Sequence, residues 1–107
     1  MPKFPGNDKQ FTWTNHIKGK MLQYRLSQSL IKRVLRYPTR QQFGIAPDTF
    51  ACMRRNDTPK RKEELWLMYQ LQNSKITLIS AWRYPAHTAE DQKLPAAVLS
   101  EIKEALL

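Results

Sequence analysis

The stretch Lys75–Pro85, KITLISAWRYP, constrains this chain more than any other. β-Branched and aromatic residues dominate it, no glycine interrupts it and a proline closes it, which predicts a strand. Strict alternation puts Ile76, Leu78, Ser80, Trp82 and Tyr84 on one face and Thr77, Ile79, Ala81 and Arg83 on the other. Both sets are largely apolar, so the strand is expected inside a sheet that is covered on both sides. It ends by delivering Trp82, Arg83 and Tyr84 together. That cluster suits anion binding or base stacking, and it equally suits plain structural packing.

The rest of the chain arranges itself around this strand. Glu64–Gln72 is a second strong strand, and the short Asn73–Ser74 link makes an antiparallel hairpin the expected connection. Thr49–Arg54 reads as a third strand, Arg40–Asp48 as a loop holding Gly44 and Pro47, and Arg55–Glu63 as a flexible charged connection. Upstream, Phe11–Thr14 fits a short edge strand. Thr14 or Asn15 can cap a helix over Asn15–Arg25, with Ile17, Met21 and Tyr24 inward and His16 and Lys20 one turn apart on its flank. Ser27 opens a second helix that runs to Arg36. Leu30, Ile31, Val34 and Leu35 occupy one sector of it, Lys32, Arg33 and Arg36 the opposite one, and Pro38 ends it. Beyond Pro85, Ala86–Leu94 is a polar loop carrying His87. Pro95 then suits the first turn of a last helix with Val98, Leu99, Ile102 and Leu106 on one face. Residues 1–10 are expected to fray, which leaves 11–107 as a single domain. The expected class is therefore α+β: two N-terminal helices, a small antiparallel meander and a C-terminal helix, with a short strand before them.

Charge narrows the partners. The net charge is +9, and residues 1–55 hold all of that excess, with eleven lysines and arginines against two aspartates. A field concentrated in one half of a chain points to a polyanion, and nucleic acid is the commonest one. A single cysteine, Cys52, excludes an internal disulfide and reads as a small buried hydrophobe. With only two histidines besides, nothing calls for a metal or a cofactor. No apolar run approaches the roughly 18–20 residues of a membrane span, and the first residues lack the pattern of a signal peptide. No membrane partner is expected, and a reducing cytoplasm is the expected compartment.

Two helices followed by a meander resemble the RelE-like toxins of bacterial toxin–antitoxin systems. The segment LISAWRYP is similar to the I-S-A-R-R segment in the last strand of BrnT-type toxins, and WTNHIKGKMLQYRLS to the His-x-x-x-(Arg/Lys)-Met opening of related uncharacterised domains. Trp82 stands where the first arginine of S-A-R-R is found, which leaves Arg83 as the match. The resemblance implies RNA as substrate, metal-independent endoribonuclease chemistry, and an acidic or amphipathic antitoxin as partner.

Such cleavage needs a base for the 2′-hydroxyl, cations for the charged phosphorane and an acid for the leaving oxygen. His16, Lys20, Arg83 and Tyr84 are the catalytic candidates, provided the flank of the first helix meets the end of the central strand. Arg25, Lys32, Arg33, Arg36 and Arg40 are expected to hold the RNA backbone, and Trp82 to stack a base. Arg83 has a structural alternative, pairing with Glu64 across the hairpin. Glu63 and Glu64 read as balance for the preceding PKRK, and His87 as a solvated loop residue. Two other readings stand beside the ribonuclease: a non-catalytic nucleic-acid-binding module, and a protein-interaction domain without enzymatic activity.

Overall fold

The computed structural model describes residues 11–88 and 94–106, with the backbone alone at 43–45. The elements are β1 (Phe11–Trp13), α1 (Asn15–Tyr24), α2 (Gln28–Arg36), β2 (Arg40–Ala46), β3 (Thr49–Arg55), β4 (Glu64–Gln72), β5 (Lys75–Tyr84) and α3 (Ala96–Leu106). The fold is α+β, with one five-stranded sheet in the order β1-β5-β4-β3-β2.

Strands β2 to β5 form an antiparallel meander, while β1 joins β5 in parallel, Phe11 opposite Ile76 and Trp13 opposite Leu78. The sheet is therefore mixed and larger than the sequence suggests. The expected loop at Arg40–Asp48 is instead mostly strand. Its propensity is weak, but pairing with β3 satisfies its backbone, and the hairpin closes through Pro47 and Asp48, the latter at φ 55°. Aspartate tolerates that left-handed conformation better than most residues. Asn73 and Ser74 both have positive φ, 49° and 65°, which matches the tight turn that suits the twist of β4 and β5.

One irregularity rearranges β5. Met68 faces Ser80 and Tyr69 faces Leu78, so Ile79 is an extra residue in the ladder. A bulge of this kind shifts the alternation by one. Ile76 and Leu78 therefore share a face with Ala81, while Trp82 and Tyr84 point to the other. The single-face set read from strict alternation is thus split.

Each face has its own core. On one side Ile17, Leu26, Ile31, Val34 and Leu35 of the α1–α2 region pack on Cys52, Leu65, Leu67, Tyr69, Ile76, Leu78 and Ala81. On the other side Val98 and Ile102 of α3 cover Ala51, Met53, Trp66, Met68 and Trp82. The Trp66 and Trp82 rings lie parallel with centroids 6.0 Å apart. Burial raises the Cys52 thiol to about 12, so it behaves as an inert core group. Leu99 and Leu106, expected inward, are 39 % and 47 % exposed. The buried stripe of α3 is narrower than its apolar content, because only one sector meets the sheet.

The helix ends follow the capping signals. Thr14 Oγ1 accepts the Ile17 amide at 3.1 Å and donates to β5 carbonyls, so one side chain starts α1 and docks it on the central strand. Ser27 Oγ accepts the Leu30 amide at 3.1 Å to start α2. Among the described residues no helix is long and apolar enough to cross a membrane.

Candidate nucleic-acid interface

The four residues expected to form a catalytic group do not gather. His16 sits in the first turn of α1, half-buried, its Nε2 enclosed without a hydrogen-bond partner. Arg83 lies at the opposite end of that helix, where Nε donates to the Tyr24 carbonyl at 2.7 Å and Nη2 to the Arg25 carbonyl at 3.1 Å. Eight residues of helix separate the two ends, about 12 Å along the axis. Tyr84 points to the α3 side, against the tryptophan cluster.

Lys20 is only 7 % exposed and clasped by α3, with Nζ 2.9 Å from Glu101 and 3.1 Å from Glu104. Burial by itself lowers the basicity of that ammonium. The hydrogen bonds and charges of the two glutamates outweigh it and hold its pKa above the ordinary lysine range. Tyr24 donates to Glu101 at 2.6 Å, and its phenol is pushed up to about 12 by burial and by that carboxylate.

Arg83 is a helix clamp. Two of its groups cap carbonyls at the C-terminus of α1, where helix carbonyls lack internal partners and cations are favoured. Its Nη1 donates to Glu63 Oε2 at 2.8 Å, so the cross-hairpin partner is Glu63 and not Glu64. Glu64 is 0 % exposed. It accepts the Trp66 indole N–H at 3.1 Å and both the amide and hydroxyl of Thr88, at 2.8 and 2.9 Å. It is an internal anchor and not surface charge balance. Trp82 is 1 % exposed beneath α3, so its ring is not presented to a base.

His87 is not simply solvated either. Its Nε2 lies 2.8 and 3.0 Å from the two Asp57 oxygens. The Glu63 amide donates to the same carboxylate, and with His87 it holds Asp57 below the usual carboxylate range. The Arg55–Glu63 connection, expected to be flexible, is tied internally by this bond, by Asn56 to Glu63 and by a Thr58–Arg61 bridge.

These contacts engage every carboxylate among the described residues. Asp48 bonds Gln72, Asp57 faces His87, Glu63 meets Arg83, Glu64 serves Trp66 and Thr88, and Glu101 and Glu104 hold Lys20. Several of the cations, unlike Lys20 and Arg83, instead face solvent. Arg33 and Arg36 project from α2 into solvent, opposite its buried Ile31, Val34 and Leu35, as the helical wheel predicts. Lys32 lies beside them, 5.8 Å from the centroid of Phe11. Arg25 is exposed at the α1–α2 corner. Arg40 departs from this group, with its guanidinium donating to Thr88 and lying 6.0 Å from the centroid of Trp66 on the α3 side.

A cleft of about 160 Å³ opens between α2 and the end of β3, lined by Leu30, Arg33, Arg54, Arg55, Asn56, Asp57 and Leu65. Arg33 and Arg55 form no direct salt bridge among the described residues, though Arg55 acts electrostatically on the neighbouring Asp57, and Arg54 Nη1 donates to the Tyr37 carbonyl at 2.7 Å. Sequence reading missed Arg54, Arg55 and Tyr37. The Arg-Arg doublet at a strand end, followed by Asn56 and Asp57, was the available signal. Among the described residues no three His, Cys, Asp or Glu side chains gather as a metal site requires.

No protein-family model, curated protein or solved structure matches this chain.

Proposed function

We propose that this protein is an RNA-binding domain that grips the phosphate backbone with the solvent face of α2 and the cleft at the end of β3. One observation carries the reading: each described carboxylate already has a partner within the molecule, Asp57 in the cleft included, while Arg33 and Arg55 line that cleft exposed and, among the described residues, without a salt bridge, and Arg36 is exposed on the same helix as Arg33. A surface so arranged attracts a polyanion, and guanidinium forks suit phosphate oxygens. Arg25 and Lys32 extend the surface along the two helices, and Arg40 belongs to a different side. The likeness to RelE-type toxins rests on the short sequence motifs; the α+β layout is compatible with it, although β1 makes the sheet mixed. In that setting an acidic partner would cover the same α2 surface. Cleavage by His16, Lys20, Arg83 and Tyr84 is not favoured, because they are dispersed and two of them are consumed in structural bonds.

The test is fluorescence anisotropy with a labelled 20-nucleotide RNA across a salt series. Steep weakening with added salt is expected, log affinity falling with log salt by roughly 0.7 per phosphate neutralised on a single strand. Absence of binding at low salt by folded protein would remove the reading. RNA fragmentation that survives Arg83→Ala but needs His87 would restore an enzymatic one.

A further inference from the structure

Tyr37 is 63 % exposed, the one exposed aromatic side chain among those described. It stands at the C-cap of α2, directly after Arg36, and its backbone is held from two sides. Its N–H donates to the Arg33 carbonyl at 3.0 Å, and its carbonyl accepts Arg54 Nη1 at 2.7 Å. Pro38 follows and restricts the backbone further. The ring therefore projects from a fixed point. Arg33 and Arg54, which hold that backbone through their carbonyl and guanidinium, also line the basic cleft. The backbone that carries this flat apolar ring is thus bonded to two residues of a cleft lined by three arginines and one carboxylate, Asp57.

We propose that Tyr37 and the Arg33–Arg54–Arg55 cleft form a single-nucleotide subsite, the cleft taking a backbone phosphate and the Tyr37 ring stacking an unpaired base. This rests on the RNA-binding reading and narrows its ligand to single-stranded RNA. Duplex bases are already stacked and present no free face, so the ring contributes only where a base can turn out. Stacking on an aromatic ring tolerates any base, because each has a π-face, so the subsite selects for strandedness and not for sequence. The open position of the ring sets it apart from Trp66 and Trp82, whose indoles stack on each other under α3.

The experiment compares a labelled oligouridylate of 12 nucleotides with an RNA duplex of equal length, using the full chain at fixed salt. The wild type is expected to prefer the single strand. Tyr37→Ala should weaken single-strand binding roughly tenfold while leaving duplex binding unchanged, and Tyr37→Phe should retain the wild-type preference. Upfield shifts of the Tyr37 ring protons on adding oligouridylate would report the stack directly. Equal affinity of wild type and Tyr37→Ala for the single strand, with no ring shift, would overturn the subsite and leave backbone binding intact. Absence of binding to either RNA by the wild type would overturn the parent reading as well. Because the ring is exposed, unchanged thermal unfolding of Tyr37→Ala is the expected folding control.

Discussion

Lys20 and Arg83 on one side, and Arg33 and Arg55 on the other, are the same kinds of residue with opposite fates. The first two are enclosed, each bonded to carboxylates or helix-end carbonyls from a different element. The second two reach solvent beside a cleft and form no direct salt bridge among the described residues, although the Asp57 carboxylate in the same cleft lies within electrostatic reach of Arg55. A buried charge is costly unless paired, so the enclosed cations are bound up with stability. An exposed unpaired cation adds little to stability and is available to a ligand. Substituting each set should therefore move different observables.

Arg83→Ala should produce the largest effect. It removes two caps from α1 and leaves the buried Glu63 carboxylate with Asn56 as its close partner, which should cost about 3 kcal/mol in denaturant unfolding. RNA affinity of the folded fraction should change by less than about twofold. A tenfold loss of affinity without loss of stability would move Arg83 into the interface.

Next comes the Lys20–Tyr24–Glu101 cluster. Lys20→Met should destabilise by about 2 kcal/mol, and the loss should diminish at alkaline pH. Both Lys20 and Tyr24 bind their protons more tightly in the folded state than their ordinary values of 10.5 and 10.0 imply. The stabilisation they confer is therefore complete below pH 10 and lost as pH rises through their raised folded-state values, which for Tyr24 is about 12. Unfolding followed from pH 9 to 12 should fall less steeply in Glu101→Gln than in wild type; equal slopes would show that the cluster does not set the alkaline limit.

Arg33→Ala and Arg55→Ala should leave stability within roughly 0.5 kcal/mol of wild type. Each should lower RNA affinity about fivefold and reduce the salt slope by about 0.7. The smallest effect is expected at Asp57, the one carboxylate lining the cleft. Asp57→Asn should strengthen RNA binding roughly twofold by removing a repelling charge. Weaker binding would instead show that Asp57 positions His87 or the loop for the ligand.

Much of the fold was legible. The wheel of α2, the β4–β5 hairpin and the serine and threonine caps are local patterns, each contained within a dozen residues. The extra residue at Ile79 was not, because its side chain fits either face and only the ladder with β4 shows the shift. Strand β2 was missed because glutamines and a glycine give it little intrinsic preference, and its neighbour supplies the hydrogen bonds. The site was legible in part. Arg33 and Arg36 followed from helical spacing, whereas Tyr37 and the Arg54–Arg55 doublet acquire meaning only when the C-terminus of α2 is laid against the end of β3. The His87–Asp57 and Lys20–Glu101 pairs join residues from distant parts of the chain, beyond any local pattern.

The amino-acid sequence by itself determined the helices, the main strands, their turns and the excess of positive charge, since periodicity, capping and composition act over short range. Which cations are locked and which are offered to a partner was decided only by tertiary structure. Charge pairing depends on distance and burial in space, and both are set by how α3 closes on α1 and how the β3–β4 connection folds back toward β5.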